Sequence, residues 1–201
     1  MKITIDSKYH IWECAAQDDF RPVFTCVLID PAGYAVAADG YIMGIVPATI
    51  EDGTGHPVLI HKDVVKKSKG STMTIQGNRV SSPTGTNGQI SEALREGTFP
   101  NWRKLIPDGM DVSQHGQTGP LDPRLTVRIH EAMGYRKRDK SYPWYLSQSK
   151  THPTVFFGNG AYAMQMPIYS NPPRADKEVQ SLKDLAQPAQ PATSEPIAVA
   201  S

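Results

Sequence analysis

Cysteine is almost absent from this 201-residue sequence: Cys14 and Cys26 stand alone and form no CxxC pair. This excludes a disulfide framework and a cysteine-ligated zinc site, and two isolated thiols read as small buried hydrophobes in a reducing compartment. Long apolar runs are missing too. None approaches the ~20 residues that cross a bilayer, and Met1-Lys2-Ile3-Thr4-Ile5-Asp6 lacks the apolar core of a secretory leader. A cytoplasmic protein without a membrane partner is expected. An excess of charge is lacking as well. The net charge is +1, so nucleic-acid binding would need a local basic face.

Catalytic signatures are also missing. His10, His56, His61, His115, His130 and His152 form no HExxH or other close metal spacing, and there is no GxSxG, GxGxxG or P-loop. No metal or cofactor is expected, and a non-enzymatic protein is the leading reading. An enzyme whose site is assembled by the fold from distant residues is a third class. The Asp18-Asp19 pair could serve acid/base or metal chemistry, but two adjacent helical residues do not face the same way, which favours a solvated helix end before Pro22.

What is present is an ordinary globular composition, 39% hydrophobic and 20% charged, long enough for one large domain or two small ones. Lys2 to Ile5 alternates as a strand. A helix capped by Ser7 follows, with Ile11, Cys14 and Ala15 toward a core. Residues 23 to 29 read as a β-branched strand. Tyr34 to Ala38 and Tyr41 to Val46 form a hairpin around Asp39-Gly40. The pattern then restarts: a strand at Pro57 to Ile60, a helix from Lys62 to Lys69 closed by Gly70, and a hairpin around Gln76-Gly77-Asn78. Strand, helix and hairpin thus occur twice, sharing pattern rather than sequence. A third helix opens at Asp122-Pro123, carries Leu125, Ile129, Ala132 and Met133 as its apolar stripe and stops at Gly134. Pro143 to Leu146 is a candidate strand, and a hairpin spans Thr154 to Ile168. From Asn171 the chain holds Pro172, Pro173, Pro188, Pro191 and Pro196 and no aromatic residue, the composition of a flexible tail.

Three stretches resemble the bacterial sliding clamp, the β subunit of DNA polymerase III. They are Ala37-Ala38-Asp39-Gly40-Tyr41-Ile42-Met43, like the clamp's Asp-Gly hairpin; Gly97-Thr98-Phe99-Pro100-Asn101-Trp102-Arg103-Lys104-Leu105-Ile106-Pro107, like the segment leaving one clamp domain for the next; and Ala161-Tyr162-Ala163-Met164-Gln165-Met166-Pro167-Ile168, like its closing strand. They follow the family's order. The resemblance implies an α+β DNA-clamp fold of repeated βαβββ units, with helices around a central hole and sheets as the outer wall. It implies a clamp-like domain at 1–109, a shortened second one at 110–170 and a tail at 171–201. The bacterial clamp has three full domains per chain, and the shorter span here suggests a phage-like or mobile-element member.

The function implied is that of a processivity factor, a homo-oligomeric ring that encircles double-stranded DNA without sequence preference and tethers a DNA polymerase after a clamp loader has placed it. The alternative is a clamp-like module that binds replication proteins without encircling DNA. A sliding contact needs spread positive charge that attracts phosphates and reads no bases. Lys62, Lys66 and Lys69 share a helical face at i, i+4, i+7; Arg124 and Arg128 share another; and Arg136, Lys137 and Arg138 trail the third helix, with Lys140 just after them. The partner pocket implied by the resemblance falls at Leu105 and Ile106 of the linker and at Met164, Met166 and Pro167 of the closing strand. The linker itself reads as extended, with Trp102, Lys104 and Ile106 on one side and Arg103 and Leu105 on the other.

The composition of residues 171–201 generates a first expectation. Truncation at Asn171 should change the unfolding free energy by less than about 0.5 kcal/mol, the usual scale for changes outside a packed core. Calorimetry of the two forms checks this, and a fall of several degrees in Tm would assign the tail to the folded unit.

Overall fold

The computed structural model describes residues 1–53, 55–84, 88–106, 121–136, 138–147 and 152–168. The expected tail, the expected domain boundary at 109/110, Pro107 and Lys137 lie outside the described residues.

Two antiparallel sheets carry the architecture. The first holds β1 (Lys2–Thr4), β5 (Thr49–Glu51), β7 (Met73–Gln76), β8 (Arg79–Pro83) and β9 (Gln89–Ala93) in the order β5-β1-β7-β8-β9. The second holds β2 (Cys26–Asp30), β3 (Tyr34–Ala38), β4 (Ile42–Pro47), β6 (Val58–His61), β10 (Trp144–Leu146), β11 (Thr154–Gly158) and β12 (Ala161–Gln165) in the order β10-β11-β12-β4-β3-β2-β6. The repeat expected in the first half is present as an exchange. Each unit lends its first strand to the other unit's sheet: β1 pairs with β7, and β6 pairs with β2. Neither unit could bury its apolar face alone. The third helix and the last three strands extend the same sheet, because β12 pairs with β4 through Met164↔Met43 and Gln165↔Ile42.

β2 is buried along its whole length because both faces are covered. Val27 and Ile29 join Ile3, Ile11, Ile60, Val64, Ile129, Met133 and Phe156 in the larger core on the helical side. Cys26 and Leu28 join Val36, Met43, Ile45, Trp102, Val155 and Met164 on the opposite face. The continuous apolar run in the sequence reflects this two-sided burial.

Helices α1 (Lys62–Ser68) and α2 (Pro123–Ala132) occur where expected. Lys69 already adopts the left-handed conformation (φ 49°), so α1 ends one residue early. Asp122 caps α2 by accepting from the Arg124 N–H, and α2 is fastened to β12 by Gln165, which is fully buried. Its side chain accepts from the Thr126 hydroxyl at 2.9 Å and donates to the Asp122 carbonyl at 3.0 Å.

The helix expected after Ser7 is instead a single 3-10 turn, Ile11–Cys14. The stripe residues Ile11, Cys14 and Ala15 are buried as the periodicity required, but the carbonyls find other partners. Arg128 of α2 donates to the Glu13 carbonyl at 2.7 Å and the Ala15 carbonyl at 2.9 Å, and the Lys62 ammonium donates to the Ala16 carbonyl. With its acceptors satisfied from outside, the segment has no need of further helical turns. It also lies hard against the sheet. A Cβ at Gly44 would sit 2.8 Å from Cys14 Sγ and 2.9 Å from Ile11 Cδ1.

Arg128 completes its bonding by pairing with Asp39 at 2.7 Å, and both side chains are mostly buried (21% and 9% exposed). Removing the cation alone strands one oxygen of a mostly buried carboxylate and the Glu13 carbonyl, whereas the Ala15 carbonyl keeps the Gln17 amide as a donor. Arg128→Met should therefore cost about 3 kcal/mol in urea unfolding, and adding Asp39→Asn should recover part of that loss. An unchanged midpoint in Arg128→Met would remove the pair from the structural core.

Candidate functional site

The β3–β4 hairpin turns at Asp39-Gly40. Gly40 has φ +97°, a conformation open to glycine at no steric cost. The Asp39 carboxylate accepts from the Tyr41 N–H at 2.8 Å and the Ile42 N–H at 2.9 Å, while its other oxygen holds Arg128. On the far side, the Met166 N–H donates to the Tyr41 carbonyl at 2.9 Å. The turn is thus fixed between α2 and the end of the closing strand.

Residues 99–106 lie on the face of the seven-stranded sheet opposite the helices, where Trp102 belongs to the buried cluster that holds Cys26, Leu28, Val36 and Met164. The extended conformation expected for the linker is corrected here: Trp102–Leu105 is a 3-10 turn. Asp30, at the end of β2, is the cause. Its carboxylate accepts from the Trp102 indole at 3.2 Å and takes both guanidinium nitrogens of Arg103, at 2.7 and 2.9 Å. In an extended strand these neighbouring side chains would point to opposite faces. Gathering both onto one carboxylate requires a turn. The guanidinium also lies over the indole, 4.2 Å from the ring centroid, and Tyr34 meets the indole edge-on at 6.0 Å. The Arg103 hydrogen bonds, foremost, hold the Asp30 carboxyl below the usual carboxylate range, against the opposing effect of burial.

The turn and the hairpin frame an apolar pocket of about 520 Å³, a volume within the range of ligand sites. Its walls are the hairpin (Ala38 to Met43), the linker (Phe99, Pro100, Trp102, Leu105) and the closing strand (Met164, Met166), with Phe24 at one side and Lys104 as its cation. Of the expected partner-binding residues, Leu105, Met164 and Met166 come together here. Leu105 is 53% exposed and Met166 42%, so the mouth carries uncovered apolar surface. Ile106 lines a second groove with Tyr34, Ile45, Val155 and Tyr162. Pro167 is buried and lines neither groove. Phe24 and Phe99, which meet edge-on at 6.1 Å, and the hairpin wall were not among the expected site residues. The Asp-Gly and Phe-Pro motifs pointed to these segments without indicating that they share one cavity.

The expected basic face divides. Lys66 and Lys69 are exposed on α1, and Arg138 is exposed beyond α2. Arg124 is 88% exposed and pairs with its own N-cap at 2.7 Å, which holds the Asp122 carboxyl at about 2. The expectation that Arg128 is solvent-facing beside Arg124 is corrected, since its guanidinium is turned inward onto Asp39, Glu13 and Ala15. Lys62 is likewise half-buried and engaged with the Ala16 carbonyl. Arg136 donates to the carbonyls of Lys8, Glu131 and Tyr135. These three cations spend their donors on backbone carbonyls. Among the described residues, no cluster of His, Cys, Asp and Glu could hold a metal ion, and no helix is long and apolar enough to cross a membrane.

No protein-family model matches the sequence, and no curated protein does. Solved structures do match. The DNA polymerase III subunit β of Borrelia burgdorferi, solved with a natural product, superposes with a TM-score of 0.64 at 12% identity, covering 85% of this chain and 65% of that one. The β sliding clamp of C. crescentus gives 0.61 at 11% identity over 84% and 65%. A sliding clamp of Bartonella birtlesii, bound to griselimycin, gives 0.59 at 12% identity over 84% and 66%. The chain therefore has the α+β sliding-clamp fold, and it spans about 65% of the length of the Borrelia clamp.

The Asp30 cluster generates a pH expectation. A carboxyl held below its ordinary value adds stability that is fully present above the ordinary carboxylate pKa, near 4, and is lost as pH falls through the lower folded value. Asp30→Asn should destabilise by about 1–2 kcal/mol at neutral pH, a figure discounted because Arg103 is half exposed. It should also lose the acid-range change in Trp102 fluorescence, followed with Trp12 and Trp144 replaced by Phe. Superimposable acid titrations of the variant and the parent would exclude this role for Asp30.

Proposed function

We propose that the chain is a clamp-type tethering protein, which holds a short apolar peptide of a DNA polymerase or clamp loader while its helical face attracts duplex DNA without sequence preference. One observation carries the reading: the open apolar pocket formed by the Asp39-Gly40 hairpin, the Trp102–Leu105 turn and Met164 with Met166. A peptide side chain entering it would exchange water for methionine and aromatic surface, at about 25 cal/mol per Å² buried. Methionines adapt to more than one partner, and Lys104 would favour an acidic neighbour on the peptide. Lys66, Lys69 and Arg138 supply exposed, long-stemmed cations suited to weak phosphate contact, with Arg124, paired to Asp122, as a further exposed cation.

A second reading, docking without encirclement, is favoured by how the sheet edges are used. β4 lies inside the sheet, paired on one side with β3 and on the other with β12 of the same chain. Ring closure between copies would have to use the remaining edges, β5, β6, β9 or β10. Light scattering at several concentrations separates the readings: a fixed multimer supports a ring, and a monomer at high concentration supports the docking module.

Leu105→Asp with Met166→Asp tests the pocket, since both side chains are exposed and their replacement should leave Tm nearly unchanged. Binding to an array of overlapping peptides from DNA polymerase and clamp-loader subunits should weaken at least about tenfold, the loss of ~1.4 kcal/mol. Equal binding by parent and variant would end the assignment. Lys66→Glu with Lys69→Glu should weaken duplex binding and flatten its salt dependence by roughly two phosphate contacts, again without unfolding.

A further inference from the structure

The loop after α2 and the strand that follows carry cations and aromatic rings in alternation: Arg136-Lys137-Arg138-Asp139-Lys140, then Tyr142, Trp144 and Tyr145. Neither the pocket nor the helical faces use the rings. Tyr142 is 71% exposed and Tyr145 is 58% exposed. Rings left in water to this extent bring no core stabilisation. Yet both are backed by other rings, which limits their freedom. Tyr142 lies against His130, with ring centroids 6.4 Å apart, and Tyr145 against Phe156 at 6.1 Å. His130 in turn meets Phe156 and Tyr135, each at 6.2 Å. Burial lowers the His130 pKa from its ordinary value, so the ring is neutral near pH 7 and packs as an aromatic.

The pleat separates these rings from Trp144. Tyr145 stands opposite Phe156, on the helical side with the larger core, whereas Trp144 stands opposite Phe157 and points to the other face. Tyr142 and Tyr145 thus share the side of the sheet that bears α2. The cations nearby are available. Arg138 and Lys140 are exposed and make no hydrogen bond or ion pair among the described residues, while the one carboxylate in the loop, Asp139, is occupied by the Arg136 N–H at 2.6 Å.

We propose that Tyr142 and Tyr145, with Arg138 and Lys140, form a binding site for single-stranded nucleic acid at the β10 edge of the large sheet. Exposed rings held by a second layer of rings present flat faces to unpaired bases. Stacking of this kind needs no particular base, and flanking cations track the backbone phosphates. Duplex DNA satisfies only the cations, because its bases are already stacked on one another. An acidic peptide likewise satisfies the cations and leaves the rings exposed. The site is distinct from the peptide pocket and does not depend on it.

Fluorescence anisotropy with oligo(dT) of about 16 nucleotides tests the proposal on the full chain. Tyr142→Ala with Tyr145→Ala should weaken oligo(dT) binding at least about tenfold. Tyr142→Phe with Tyr145→Phe should restore it, because the stacking face is kept. Arg138→Ala with Lys140→Ala should also weaken it and should reduce the salt dependence. Trp144→Ala, on the opposite face, should bind as the parent does, and an abasic oligonucleotide of equal length should bind the parent more weakly than oligo(dT). All variants are at exposed positions, so an unchanged Tm checks folding. The proposal is overturned if the tyrosine-to-alanine pair binds oligo(dT) like the parent, if abasic and oligo(dT) strands bind equally, or if polyglutamate binds with the same dependence on the tyrosines.

Discussion

The ion pair between Arg128 and Asp39 joins three parts of the chain that are far apart in sequence. Arg128 comes from α2, Asp39 from the turn between β3 and β4, and the carbonyls of Glu13 and Ala15 from the 3-10 turn beneath them. A buried pair is not inherently stabilising, since desolvation offsets much of the attraction. This one is compensated on both sides. Asp39 also accepts two backbone N–H groups of its own turn, and Arg128 also satisfies two backbone carbonyls. No group in the cluster can be removed without orphaning another, which fixes where α2 sits and where the hairpin points.

The pocket inherits this rigidity. Its hairpin wall is set by Asp39 and its closing-strand wall by the β12–β4 register and the Met166 bond to Tyr41. Its linker wall is set by Asp30, which collects Trp102 and Arg103. Two carboxylates, Asp30 at the end of β2 and Asp39 just after β3, therefore hold two of the three walls. The apolar residues at the mouth, Leu105 and Met166, are left uncovered. On the proposed reading, a peptide side chain would meet walls that are already fixed by these contacts, which limits the ordering cost of binding.

The cations illustrate a division of labour that charge alone does not reveal. Lys62, Arg128 and Arg136 lie in or beside helices, as do Lys66, Lys69 and Arg138, yet the first three spend their donors on carbonyls of the 3-10 turn and adjoining loops. A turn too short to satisfy its own carbonyls needs donors from outside, and long basic side chains supply them while keeping their stems on apolar surface. Among the described residues, the second set has no such hydrogen bond and stays exposed.

Periodicity and turn chemistry in the sequence were enough to determine most of the strands, both α-helices, the Asp122 cap of α2, the Gly70 stop of α1 and the repeat of strand, helix and hairpin. These are local matters, decided by spacing, by Pro123 and Gly70, and by glycine at positive φ in Gly40. The motifs around Asp39, Phe99 and Met164 located the segments of the pocket and the clamp fold they belong to. Two short strands, β5 and β9, were not legible, because Thr49–Glu51 and Gln89–Ala93 are edge strands with little buried surface and hence little pattern. Only the tertiary structure decided that the segment after Ser7 makes one 3-10 turn, that the linker turns at Trp102 and that Arg128 faces inward. Each of these outcomes depends on a partner supplied from more than 70 residues away, Arg128 for the turn and Asp30 for the linker. A sequence shows which side chains can donate and accept; which of them meet is settled by the long-range pairing of strands, and a cation two turns along a helix looks the same whether it will reach a phosphate or a carbonyl.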